Sequence, residues 1–232
     1  MSGRVDPWHY PKPVSSIILR NDSKDGKAKF TDVTDQVAPA LKNIGMVCDA
    51  LFSDFDDDGQ TDLILAGEWM PVCFLKNNNG KFENVTAVSG ISDKAGLWNS
   101  IVAGDFRHIG RTDYIVGNLG LNTFYQATDQ CPLYITAGDF ANNGSFMAIP
   151  SLFLPDLHGR LEEFPANGRD EIIERLPALK KQFPDYQSFA KATMNDSSAR
   201  QKNKRYSFKG EHTAVVLFEE SRQRKVYDDT AA

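Results

Sequence analysis

Long apolar runs are missing from this 232-residue sequence, and none approaches the roughly 20 residues that a membrane-spanning helix needs. The opening MSGRVDPWHYPKP lacks the apolar core of a secretory signal. The chain is therefore read either as cytoplasmic or as an internal piece of a longer exported protein. Cysteine is scarce. Cys48, Cys73 and Cys131 follow no ligand or disulfide spacing, so buried free thiols are expected rather than a disulfide or thiolate metal site. The four histidines are scattered, which leaves no His-based metal or catalytic site. No glycine-rich phosphate loop, nucleophile elbow or Cys/His pair occurs. Basic residues are the minority, 26 against 31 acidic for a net charge of −5; such a balance argues against a nucleic-acid or acidic-membrane partner. Hydrophobic content of 41% with 25% charged residues supplies an ordinary globular core.

Acidic residues, by contrast, are concentrated in one place. Ser53 to Asp62 reads SDFDDDGQTD, five aspartates around one glycine between two apolar runs. At ~5 Å and an effective dielectric near 20, each carboxylate pair repels by roughly 3 kcal/mol. A cation among them would remove that cost. Asp54, Asp56, Asp58 and Asp62 follow D-x-D-x-D-G-x-x-D, which turns alternate side chains inward while Gly59 takes the sharp turn and Gln60 adds a backbone carbonyl. Asp57 is left for solvent. Oxygen ligands on a short flexible loop favour Ca²⁺ over Mg²⁺ and Zn²⁺. An EF-hand is excluded: its twelfth position would be Leu65 rather than Glu, and the flanks CDALFS and DLILAGEW read as strands.

The acidic loop belongs to a repeat. GMVCDALFSDFD at 45–56 aligns with GLWNSIVAGDFR at 96–107, placing Asp105 on Asp54 at an offset of 51. LRNDSKDGKAKFTDVT at 19–34 aligns with LKNNNGKFENVT at 75–86, placing Phe82 on Phe30 at an offset of 52. A third loop, TAGDFANNGSF, puts Asp139 in the same role. About four short strands in units of about 50 residues is the pattern of propeller blades. The expected fold is all-β, a partial β-propeller with units near 1–45, 46–95, 96–135 and 136–166.

SDFDDDGQTDLILAGEW, AGDFRHIGRTDYIVGNLGLN and LKNNNGKFENVT resemble the FG-GAP or VCBS repeats of bacterial surface proteins. They are most similar to members associated with the ASPIC/UnbV group and more distantly resemble the calcium loops of integrin α-subunit propellers. The resemblance spans about residues 3–196. It implies a β-propeller, calcium in blade loops, an extracytoplasmic location, adhesion or binding of a protein or glycan partner, and no shared catalytic residues. The family's calcium ligands fall on Asp54, Asp56, Asp58, Gln60 and Asp62.

Two loops depart from the pattern. In DFRHIGRTD, Asp105 and Asp113 keep the outer ligands while Arg107 and Ile109 replace the middle ones. Either the Arg107 guanidinium takes the cation's place between Asp105 and Asp113, or it is simply solvated. In DFANNGSFM, Ala141 and Met147 remove two ligands and leave Asp139 and Asn143, so little or no ion is expected there. Phe55, Phe106, Phe140, Trp69 and Trp98 are read as core between sheets rather than as sugar platforms. The pairs Glu162–Glu163 and Asp170–Glu171 are the only carboxylates with a glycosidase look, and nothing fixes their separation.

From 167 to 196 the period changes. Ile172, Leu176, Leu179 and Phe183 mark an amphipathic helix opening near Asp170, and Pro184 fits the first turn of a second helix carrying Phe189. This helical insertion is expected to pack on the blades. From Ser197 the charge balance inverts, with 8 basic and 5 acidic residues against 18 and 26 before it. Glu220 to Ala232 can be back-translated so that reading one nucleotide later gives N-L-G-N-G-K-F-M-M-I-P-L, which carries the repeat's own turn. The tail is thus read as a frameshift product or a disordered basic segment, and the whole as a piece of a larger ring. The leading function is a calcium-stabilised binding scaffold. The alternative is the propeller portion of a carbohydrate-active or other hydrolase or lyase, for which no convergent titratable residues are legible.

Overall fold

The computed structural model describes residues 3–120, 123–125, 127–128, 130–141 and 143–194, together with the backbone of 204–208, 214–220 and 223–228. Strands dominate and helices are few and short, which agrees with an all-β fold. Among the described residues no helix is long and apolar enough to cross a membrane. Two compact units divide the chain, one of residues 1–5, 12–123 and 212–232, the other of 6–11 and 124–211.

The first unit opens with the hairpin β1 (Leu19–Asn21) and β2 (Phe30–Asp32), then the single-turn helix α1 (Thr34–Val37). Next come β3 (Met46–Ser53), β4 (Asp62–Met70), β5 (Cys73–Asn78) and β6 (Lys81–Asn84), an antiparallel meander in sequence order. β7 (Gly96–Gly104) and β8 (Asp113–Asn118) form a further hairpin, and β7 touches the end of β4 at Glu68↔Leu97 and Met70↔Gly96.

The repeat is visible in the pairing itself. β3 and β4 shift register between Val47 and Asp49 and close on Ser53↔Asp62. β7 and β8 shift between Trp98 and Ser100 and close on Gly104↔Asp113. Every one of these positions is displaced by the sequence offset of 51. A bulge kept in place through a repeat sets the twist of each hairpin.

The motif F-x-D/N-V-T also acquires a physical reason. The Asp32 carboxylate accepts the Thr34 N–H at 2.9 Å, and Asn84 Oδ1 accepts the Thr86 N–H at 3.0 Å. The threonine hydroxyls in turn accept the amides of Ile18 (2.8 Å) and Phe74 (3.0 Å). Each motif thus ends a hairpin by tying its last strand to the one before, and the chain turns helical just after it. β4 is buried on both faces, as a near-continuous apolar strand must be. Ile64 and Ala66 join Phe55, Phe74, Trp98 and Val116 on one side; Leu63 and Leu65 join Leu41, Val47 and Leu75 on the other. Phe55 and Trp98 are therefore core. Phe106 is exposed, however, and Trp69 is only half-buried.

In the second unit β9 (Leu133–Gly138), β10 (Met147–Pro155) and β11 (Leu161–Pro165) form an antiparallel meander closing on Gly138↔Met147. β9 runs across the division drawn from sequence at residue 135. Glu163 of β11 is buried and accepts the Ser151 hydroxyl, and its neighbour Glu162 leans to the opposite face of the strand, so the two do not form a paired acid site. Helix α2 (Arg169–Arg175) stops at Leu176 (φ −127°, ψ 71°) instead of running through to Phe183. Pro177 is the cause: it disfavours helical geometry at the residue before it and supplies no N–H. Leu179 lies instead in a separate 3₁₀ turn at Pro177–Lys180, and Phe183 lies beyond that turn. Helix α3 (Tyr186–Phe189) is capped by Asp185 and Ser188 in a capping box, so Pro184 precedes the cap rather than entering the first turn. Ile172, Leu176, Leu179 and Phe189 pack on Met147 and Ile149 of β10.

The structure places three strands within the stretch read as a non-native or disordered tail. β12 (Lys204–Phe208) pairs with β9, β13 (Ala214–Glu220) with β8, and β14 (Gln223–Asp228) with β13. The remainder of that stretch lies outside the described residues. The three sheets are open and separate, so no closed ring is present among the described residues.

This packing sets two expected outcomes. Thr86→Val keeps the shape but orphans the buried Phe74 N–H, and is expected to cost about 1–3 kcal/mol in denaturant unfolding. In the β10–β11 turn, Asp156 is held down to about 2 by the Arg160 amide and guanidinium and the His158 amide. A depressed carboxyl stabilises the folded form above its ordinary pKa, and that contribution disappears as pH falls through about 2. Carboxyl-carbon NMR titration is expected to find Asp156 among the last carboxylates to protonate.

Candidate metal centre

Each acidic hairpin loop is held by the same bonds. Asp54 accepts the N–H of Asp58 at 3.1 Å on one oxygen and of Gly59 at 2.9 Å on the other. Asp105 does so with Ile109 (2.9 Å) and Gly110 (2.7 Å), and Asp139 with Asn143 (3.1 Å) and Gly144 (2.7 Å). A carboxylate chelating the amides four and five residues ahead bends the chain into a tight link between two strands. The second amide belongs to a left-handed glycine in all three loops, with φ of +83°, +76° and +82°. At Gly59 nothing lies within 4 Å of where a Cβ would stand. The backbone angle, not space, requires glycine there. Two bonds to loop amides keep the Asp105 carboxyl below its ordinary range.

The fourth acidic position works differently. Asp62 is fully buried, and its oxygens accept the amides of Phe55 (3.0 Å) and Asn77 (2.7 Å). Burial raises its pKa against those bonds, and Asp56 and Asp58 raise it further. Asp54, Asp56 and Asp58 bring one carboxylate oxygen each to within 4.8 Å of one another, with Asp62 outside that group. Asp57 is exposed. Gln60 gives its N–H to Asp58 at 2.8 Å, and its side-chain oxygen accepts the Asn79 amide at 2.7 Å.

Sequence reasoning missed Lys76. From β5 its ammonium reaches across to Asp56 and to Asp58, the latter at 2.8 Å, which lowers the Asp58 pKa and raises that of Lys76. The first loop's carboxylates therefore have a protein cation among them. A faint signal existed: the residue after the leucine in both hairpin motifs is basic, Arg20 and Lys76. One ammonium does not balance three carboxylates. Asp56 Oδ1 is buried with no hydrogen-bond partner among the described residues. An ion bound at about 2.3–2.6 Å separates its ligand oxygens by at most about 5 Å, so the spread and all-oxygen character of the cluster fit Ca²⁺ once Lys76 swings aside.

In the second loop Arg107 binds buried Asp113 with its Nε at 3.0 Å, its Nη2 at 2.8 Å and its own N–H at 3.3 Å. Asp105 spends its oxygens on the loop amides. In the third loop Asn143 Oδ1 accepts the Ser145 N–H at 2.9 Å, as Asp58 does from Gln60. Ala141 and Met147 offer no ligand. All three cysteines are free, but only Cys73 is buried as expected, Cys48 and Cys131 being half-buried; burial pushes the Cys73 thiol up to about 11.

Arg107→Met strands the Asp113 carboxylate and is expected to lower stability by about 2–4 kcal/mol, while adding Asp113→Asn recovers most of the loss. Denaturant unfolding of the single and double variants checks both.

Comparison with known proteins touches this region directly. A family model described as an FG-GAP-like repeat matches residues 54–116, from the first aspartate of the first loop through most of β8. No curated protein matches the chain. The matched stretch, residues 54–116, is thus similar to an FG-GAP-like repeat, and it contains the first two aspartate-chelated loops.

Proposed function

We propose that this chain is a calcium-stabilised scaffold, a β-propeller segment of an exported or surface protein of the ASPIC/UnbV-associated kind, which presents its loops and faces to a protein or glycan partner. The observation that carries the calcium reading is the Asp54, Asp56, Asp58 cluster with its unpartnered Asp56 Oδ1. Those three carboxylates would hold the ion, with the Gln60 carbonyl and Asp62 completing the set. The ion supplies positive charge to a loop that Lys76 only partly neutralises, and it performs no chemistry. The meander β3 to β6, of four strands with an acidic link between its first two, supports the blade reading. Sites of this kind in extracellular modules need affinities only on the order of 10⁻⁴ to 10⁻³ M.

A calcium melt tests it. At free Ca²⁺ about 100 times the dissociation constant, stability is expected to rise by about 2.7 kcal/mol, read as an increase in Tm that EDTA reverses. Asp56→Asn is expected to abolish the response, and Lys76→Met to enlarge it by removing the competing ammonium. A Tm indifferent to calcium in both the native protein and the Lys76→Met variant contradicts the proposal.

A further inference from the structure

The second unit contains a cavity of about 630 Å³ walled by its N-terminal turn, the β9–β10 region and helix α2. Two kinds of chemistry meet there. Trp8, Tyr10 and Phe146 supply aromatic surface, and Trp8 is 85% exposed. An indole left in water at a cavity mouth is a flat apolar face available for contact. Opposite in character are Asn167, Glu171 and Arg175. Asn167 Nδ2 donates to Glu171 Oε1 at 2.7 Å, which fixes the amide's orientation. Asn167 Oδ1 is buried and has no hydrogen-bond partner among the described residues. A buried acceptor without a donor is a cost that a bound hydroxyl removes.

The charges narrow the ligand class. Glu171 and Arg175, one helical turn apart on α2, carry opposite charges that offset each other, so this wall has no net charge to favour an anion or a cation. A proline-rich peptide suits aromatic walls, yet prolyl nitrogens bring no N–H for Asn167 Oδ1. His9, also in the lining, is engaged by Asp6 at 2.9 Å. A neutral ring with one apolar face and several hydroxyls suits the remaining groups: its C–H face lies on Trp8, its hydroxyls donate to Asn167 and Glu171, and another accepts from Arg175. Cavities of a few hundred Å³ with few, convergent polar groups are the usual form of small-molecule sites.

We propose that this cavity is a binding site for a neutral saccharide, with Trp8 as stacking platform and Asn167, Glu171 and Arg175 as the hydroxyl-reading groups. The inference rests on the binding-scaffold reading above and gives it a ligand class, while standing apart from the calcium loop. The test uses the whole chain and a panel of glucose, galactose, mannose, N-acetylglucosamine, lactose and cellobiose. Saturation-transfer NMR and tryptophan fluorescence report binding. Glucuronate, glucose 6-phosphate and a polyproline peptide serve as competitors of other classes. At least one neutral sugar is expected to bind more tightly than its charged counterpart. Trp8→Ala, at an exposed position, is expected to weaken that binding by about tenfold or more, and Asn167→Ala by several-fold. Binding unchanged in Trp8→Ala, a preference for the anionic sugars or the peptide, or no saturation transfer from any neutral sugar overturns the site. The calcium melt run on the same samples separates the two ideas, because its failure with sugar binding intact sinks the calcium reading alone.

Discussion

Three hairpins in this protein depend on one interaction, a carboxylate that accepts two successive loop amides. Asp54, Asp105 and Asp139 each chelate the N–H groups four and five residues ahead. The amides would otherwise point into the narrow loop unpaired. A charged acceptor makes such bonds stronger than a neutral one, and the left-handed glycine at the second amide makes the bend free of strain. The loop's shape is thus fixed by the first aspartate and the glycine, whatever fills the rest of the motif.

What varies between the loops is the remaining charge. The first carries three clustered carboxylates and answers them with Lys76 from a neighbouring strand, leaving Asp56 Oδ1 unsatisfied. The second replaces its middle aspartates with Arg107, which turns to buried Asp113, and with Ile109. The third drops the outer and middle carboxylates for Met147 and Ala141 and has little charge left to neutralise. Such a series explains how one backbone shape tolerates a potential ion site, an internal ion pair and a nearly neutral loop within one chain. Only the first has a donor set suited to a divalent ion, and that is where the calcium proposal applies.

Much of the first unit was legible because its determinants are local. The offset of 51 between the two acidic hairpins reappears in their bulges and closing pairs, and the offset of 52 in the Asp32–Thr34 and Asn84–Thr86 bonds, since each is set within one hairpin or one turn. Legibility failed where a partner comes from far along the chain. Lys76 lies 18 residues beyond Asp58, and β13 joins β8 from about a hundred residues downstream; no periodicity encodes either choice. The break at Leu176 is a different failure. Apolar spacing persists through Phe183, but Pro177 overrides it, so the pattern of burial outlived the helix that was inferred from it. Trp8, which lines a cavity of the second unit with Asn167, Glu171 and Arg175, carried no sequence signal because those groups come from about 160 residues downstream.

Backbone chelation by the first aspartate sets the shape of the three acidic loops, and the calcium proposed for the first would add to it. Amide hydrogen exchange at Gly59, Gly110 and Gly144, measured in EDTA, tests this most directly. Slow exchange is predicted at all three, with calcium adding protection in the first loop alone. Rapid exchange at all three in EDTA, with protection restored only by calcium and only at Gly59, would contradict it.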